Sequence, residues 1–230
     1  MIQPKRTATT VGILFIIATM AGVISVALIG SILDPQGILD NVAADDTSVV
    51  LAVLFDLVLA GAVIAIPVVM FPVLKQQSEG AARGYLAARI VEGMVIVLGA
   101  IVLLTLVTVS RESADVVDGA TDFGSIGAAF LAARDWTDLI GTQLVFGVTA
   151  LILNLSMFRS LLLPRFISIW GLIGAALAIV STLSIMLLDL DPFSTTSIVL
   201  LLPIAVQEMV MAIWFIVKGF NLAEFAEESA

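Results

Sequence analysis

The run Tyr85-Leu-Ala-Ala-Arg89-Ile-Val-Glu92-Gly-Met-Val-Ile-Val-Leu-Gly-Ala-Ile-Val-Leu-Leu-Thr-Leu-Val-Thr-Val109 decides the fold. It is apolar over a length that crosses a bilayer, which takes about 20 apolar residues. It lacks the period-two alternation of a barrel strand, so it reads as a helix that satisfies its own backbone. Five further runs of the same kind surround it: Thr10–Leu33, Ser48–Leu74, Trp136–Phe158, Arg165–Leu188 and Thr195–Lys218. Together they predict an all-α polytopic integral membrane protein, a bundle of six transmembrane helices forming one membrane domain over residues 1–230.

Composition agrees and removes most chemistry. Of 230 residues, 60% are hydrophobic and 13% charged, against about 45–50% and about 25% in soluble domains. With no His and no Cys, the chain cannot build imidazole or thiolate zinc sites, Cys-ligated iron–sulfur clusters, His-ligated haem or a Ser-His-Asp triad. No cofactor is expected. A net charge of −9 argues against nucleic acid, which needs a basic footprint.

Orientation follows from Lys and Arg. Lys5, Arg6, Lys75, Arg83, Arg89, Arg159, Arg165 and Lys218 fall on one side, and only Arg111 and Arg134 on the other. The positive-inside rule predicts both termini in the cytoplasm. Span one, about 24 apolar residues, exceeds the h-region of a signal peptide and is expected to be a retained helix. Residues 221–230 read as a short acidic tail. In the third loop, Phe123, Ile126, Phe130 and Leu131 fall near helical spacing behind Asp122, a capping residue. A short amphipathic surface helix over about 122–134 is expected there, on the extracytoplasmic side, leading into Trp136 as an interfacial anchor. No internal repeat is found.

Ionisable groups in hydrocarbon cost at least about 2.5–3.5 kcal/mol each, so those retained need a partner or a task. Arg89, Glu92 and Glu208 lie deep in their spans, with Asp56 in span two and Asp138 near the outer end of span four. Arg89 and Glu92, three apart, share a helix face. Helical rise puts Glu92 about 10 Å and Glu208 about 15 Å from the cytoplasmic side. These three residues are therefore expected to form one cluster of two carboxylates and a guanidinium, one negative charge in excess. Gln143, Asn154 and Gln207 are candidate amide partners. Asp56, though assigned to the outer half, is a candidate for the same polar cavity. Pro67 and Pro72 in span two and Pro203 before Glu208 suggest helix breaks of the kind that border binding sites. Gly171-Leu-Ile-Gly-Ala-Ala and Ala60-Gly-Ala permit close helix approach.

Phe71-Pro-Val-Leu-Lys-Gln-Gln-Ser-Glu-Gly-Ala-Ala-Arg-Gly-Tyr85, running on through Ala88-Arg-Ile-Val-Glu92, resembles the central signature of a prokaryotic membrane family, catalogued as domain of unknown function 4386. Asp135-Trp136, Trp170-Gly-Leu-Ile-Gly-Ala-Ala, Pro203-Ile-Ala-Val-Gln-Glu208 and Ile213-Trp-Phe-Ile-Val-Lys-Gly-Phe220 are similar to its other blocks. The resemblance implies a six-span helical protein of bacterial or archaeal cytoplasmic membranes, with Arg89, Glu92, Glu208 and Lys218 at its polar motif positions. It implies no activity.

Three function classes remain. One is a membrane protein that binds or passes a proton or small solute at the Arg/Glu cluster. Another is a non-catalytic structural or accessory subunit of a larger membrane complex, or of a homo-oligomer, whose acidic outer loops and surface helix dock a partner. The third is an intramembrane enzyme, which is not expected because no nucleophile motif accompanies the carboxylates. Besides membrane lipids no partner is specified by any motif.

Overall fold

The computed structural model describes residues 4–115, 122–188, 190–192 and 194–221, the side chain of Asp115 excepted. Most of the acidic tail, together with Asp189, lies outside the described residues. Among the described residues every regular element is helical: α1 (Pro4–Ile29), α2 (Ile38–Ala44), α3 (Asp46–Gln77), α4 (Glu79–Asp115), α5 (Phe123–Thr137), a π-helical segment (Asp138–Val145), α6 (Phe146–Ser160), α7 (Arg165–Leu188) and α8 (Thr195–Val217). Six of the helical runs are long and apolar enough to cross a membrane: α1, α3, α4, the run Phe123–Ser160, α7 and α8. The protein is a multi-pass membrane protein. Ile13, Met20, Leu54, Leu98, Ile173 and Leu202 are among the many large apolar side chains left exposed, which suits a lipid solvent.

Local details depart from the sequence reading in four places. Helices α3 and α4 extend past the apolar runs, and Ser78 alone separates them. Its hydroxyl accepts from Ala81 N at 3.3 Å, capping α4. Pro67, Pro72 and Pro203 do not interrupt their helices, since membrane helices tolerate proline when neighbours re-satisfy the freed backbone groups. The helix that Asp122 caps, by accepting from Ser125 N, does not end before Trp136: the run stays helical to Ser160, loosened at residues 138–145 into π geometry. Helix α2, finally, was not foreseen. Seven residues are too few for a hydropathy signal, and the helix is held by packing rather than propensity.

The chain forms two compact units. The first takes the described residues of 1–16, 62–92 and 143–230. Its core gathers Phe15, Met70, Tyr85, Leu153, Met157, Ile167, Met211 and Phe215. Helices approach closely here because small residues remove the Cβ spacer. A Cβ on Gly12 would lie 2.5 Å from the Ala212 carbonyl oxygen, and one on Gly174 would lie 2.9 Å from Ile204 N. The second unit takes 17–61 and 93–142, with Ile29, Val42, Val49, Val53, Leu103, Leu106 and Leu131 in its core. Gly127 of α5 admits Ile38 and Leu39 of α2, and the Ser110 hydroxyl donates to Leu39 O at 2.6 Å. Arg111 donates through two nitrogens to one oxygen of Asp46, at 3.0 and 2.6 Å.

Candidate functional site: a buried guanidinium between carboxylates

The deepest charges of the first unit converge. Arg89 is 2% exposed and Glu92 3%. One helical turn puts the two side chains over one another, and Arg89 Nη1 donates to Glu92 Oε1 at 3.0 Å. From α8, Glu208 Oε1 stands 3.7 Å from Arg89 Nη2, outside hydrogen-bond range. Nη2 has no hydrogen-bond partner. The other Glu92 oxygen accepts from the Thr149 hydroxyl of α6 at 2.9 Å, and Arg89 Nε donates to the Tyr85 hydroxyl at 3.2 Å. Three rings surround the guanidinium, with centroids 5.8 Å (Phe15), 5.6 Å (Tyr85) and 5.8 Å (Phe146) from Cζ. At that range the ring faces attract a cation, the more so when it is desolvated. The assembly therefore holds one cation firmly, binds one carboxylate tightly and leaves the second at arm's length, with one negative charge in excess.

The remaining polar positions are placed differently from their sequence assignment. Gln207 and Asn154 do not complete the charged cluster but bond each other, Gln207 Nε2 donating to Asn154 Oδ1 at 3.0 Å and, at 3.3 Å, lying within reach of Ile167 O. Gly171 makes the room: a Cβ there would overlap the Asn154 carboxamide. Gln143 sits half-buried in the π-helical segment. Asp56 belongs to the second unit and pairs with Arg134, Oδ2 to Nη2 at 3.7 Å. Arg134 also pairs with Asp138 at 3.5 Å, four residues on.

Five contributors escaped the sequence reading. Tyr85 lies four residues before Arg89 and Arg134 four before Asp138, so same-face spacing was a usable signal for both. Arg134 was instead counted as an orientation marker. Thr149, Phe15 and Phe146 arrive from other helices and left no such signal. Among the described residues no group of three or more Asp or Glu side chains is gathered as a metal site.

No curated protein and no solved structure matches the chain. A family model does, over residues 10–219, nearly the whole chain and all six apolar runs, with Arg89, Glu92 and Glu208 inside the matched region. The chain therefore belongs to the family described as Domain of unknown function (DUF4386).

Proposed function

We propose that this protein binds, or passes across the membrane, a proton or small cationic solute at Arg89, Glu92 and Glu208. The observation that carries the reading is charge: one guanidinium faces two carboxylates in a buried setting, and Glu208 is left without a hydrogen bond from Arg89. An uncompensated negative charge inside hydrocarbon is costly, and a bound proton or cation offsets it. The protein resides in the cytoplasmic membrane of a bacterium or archaeon, as the family resemblance implies, with both termini inside, an orientation supported by the eight-to-two division of Lys and Arg. In that orientation the amphipathic helix α5 lies along the extracytoplasmic surface. It is not an enzyme.

The test is thermal stability of the purified protein across pH and a panel of cations and small metabolites, with wild type beside Glu92→Gln and Glu208→Gln. A ligand-dependent rise in Tm that both variants lose is the expected result. A panel without response, both variants being merely less stable, overturns the reading. It would favour a second one, in which the cluster clamps helices of an accessory subunit; the near-complete burial of Arg89 and Glu92 is what supports it.

A further inference from the structure

The ten Lys and Arg side chains divide into two groups. Lys75 and Arg83 pair with Glu79, Arg89 with Glu92, Arg111 with Asp46 and Arg134 with Asp56. Among the described residues no carboxylate lies within ion-pair range of Lys5, Arg6, Arg159, Arg165 or Lys218, and all five are exposed. They all belong to the first unit. Lys5 and Arg6 lie in the first turn of α1, Arg159 in the last turn of α6, Arg165 opens α7 and Lys218 caps α8. Tertiary contacts gather these helix ends. A Cβ on Gly219, next to Lys218, would lie 3.9 Å from Lys5 Cγ. Asn221 N donates to Leu162 O at 3.0 Å, in the turn that joins Arg159 to Arg165. Arg165 is steadied by the Phe158 ring, whose centroid stands 5.8 Å from its Cζ. Each of the four helices is part of a membrane-crossing run, so their ends lie at the depth of lipid headgroups. Apolar side chains flank the charges: Phe166, next to Arg165, is 62% exposed and Val217, next to Lys218, 63%. Acyl chains cover a surface of that kind, whereas a free anion would meet only the charges. Anionic headgroups attract juxtamembrane Lys and Arg, about fivefold in affinity for each. The protein carries a net charge of −9, so an anionic partner is attracted to this patch rather than to the remaining surface.

From this we infer that the patch of Lys5, Arg6, Arg159, Arg165 and Lys218 is a binding surface for anionic phospholipid headgroups, selecting them over zwitterionic lipids with the same chains. It stands on its own residues and depends neither on the reading of Arg89, Glu92 and Glu208 nor on which side of the membrane the patch faces. The experiment titrates the full chain in a neutral detergent with dioleoylphosphatidylglycerol or dioleoylphosphatidylcholine. Tm and native mass spectrometry of retained lipid are the readouts. Apparent affinity for phosphatidylglycerol should exceed that for phosphatidylcholine at least about a hundredfold and weaken with added NaCl. Arg159→Gln/Arg165→Gln should lower it about 25-fold, and so should Lys5→Gln/Arg6→Gln. Should one pair fail to fold, the other, or Lys218→Gln with about a fivefold loss, carries the test. Lys75→Gln/Arg83→Gln removes the same charge from cations that Glu79 already pairs, and should change the affinity less than about threefold. Equal affinity for the two lipids, or equal losses in the patch variants and in Lys75→Gln/Arg83→Gln, overturns the assignment. So does saturation by inorganic phosphate at the same phosphate concentration, which would make the ligand a free anion. A lipid preference that emerges only when residues 222–230 are removed also overturns it, and would identify the acidic tail as the occupant.

Discussion

Removing Glu92 should cost far more than removing Glu208, although both face the same guanidinium. Glu92→Ala deletes the 3.0 Å bond from Arg89 Nη1 and the partner of the Thr149 hydroxyl. It leaves Arg89, 2% exposed, with Tyr85 and a carboxylate 3.7 Å away. Breaking a buried pair from one side costs about 3–5 kcal/mol, and a membrane-embedded Arg without a partner about 2.5–3.5 kcal/mol. These describe the same loss, so about 3 kcal/mol is expected. Glu208→Ala breaks no hydrogen bond of Arg89, and Glu92 still neutralises it; the Coulomb attraction lost at 3.7 Å is largely offset because a carboxylate need no longer be buried, so a net loss of about 1 kcal/mol is expected. The assay is equilibrium unfolding in mixed micelles with rising dodecyl sulfate fraction, read by circular dichroism. The triple variant Arg89→Met/Glu92→Leu/Glu208→Gln should recover much of the Glu92→Ala loss, because it leaves no orphaned charge. Equal destabilisation by Glu92→Ala and Glu208→Ala would refute the reasoning, since it would mean that the two carboxylates share Arg89 evenly.

Three further outcomes follow from the geometry. Gly171→Ala should displace the Asn154 carboxamide and break its bond from Gln207, costing about 2 kcal/mol from overpacking and one interhelical hydrogen bond; Gly61→Ala, which meets nothing within 4 Å, should leave the unfolding midpoint unchanged. Thr149→Val keeps the shape of α6 and removes the hydroxyl that donates to Glu92, so a loss of about 1 kcal/mol should appear in the same unfolding assay and vanish in a Glu92→Ala background. The Ser125 hydroxyl and amide donate to Asp122 and hold its carboxyl below the ordinary value of 3.8. A depressed folded value stabilises the α5 start above the ordinary carboxylate range, and the effect is lost as pH falls through the folded value. Amide exchange at residues 123–126 should therefore distinguish wild type from Asp122→Ala at pH 7 and cease to do so at strongly acid pH.

Hydrophobic length settled most of the architecture in advance. Each of the six apolar runs has its helix, and in α7 the boundaries coincide at Arg165 and Leu188, because Pro164 and Arg165 on one side and Asp189 on the other bound the apolar run in the sequence. Boundaries slipped where polar residues continue a helix past the membrane, as in Glu79–Arg83, held by the Lys75–Glu79 and Arg83–Glu79 pairs. The segment around Trp136 misled because an aromatic anchor marks depth, not the end of a helix.

The candidate site was legible only along single helices. Spacing of three places Arg89 over Glu92, and a depth estimate from helical rise set Glu208 at a similar level. Which helix faces which is decided by packing, through contacts such as Gly12 on Ala212 and Gly171 on Asn154. Those contacts bring Thr149 and Phe15 to Arg89 and pair Gln207 with Asn154, while packing within the second unit gives Asp56 to Arg134. In water, burial and exposure mark the inner face of a helix in its sequence. In a bilayer both faces are apolar and that mark is erased. Transmembrane length and the cost of buried charge could therefore be read from the chain alone, while the identity of each charge's partner was decided only by tertiary structure.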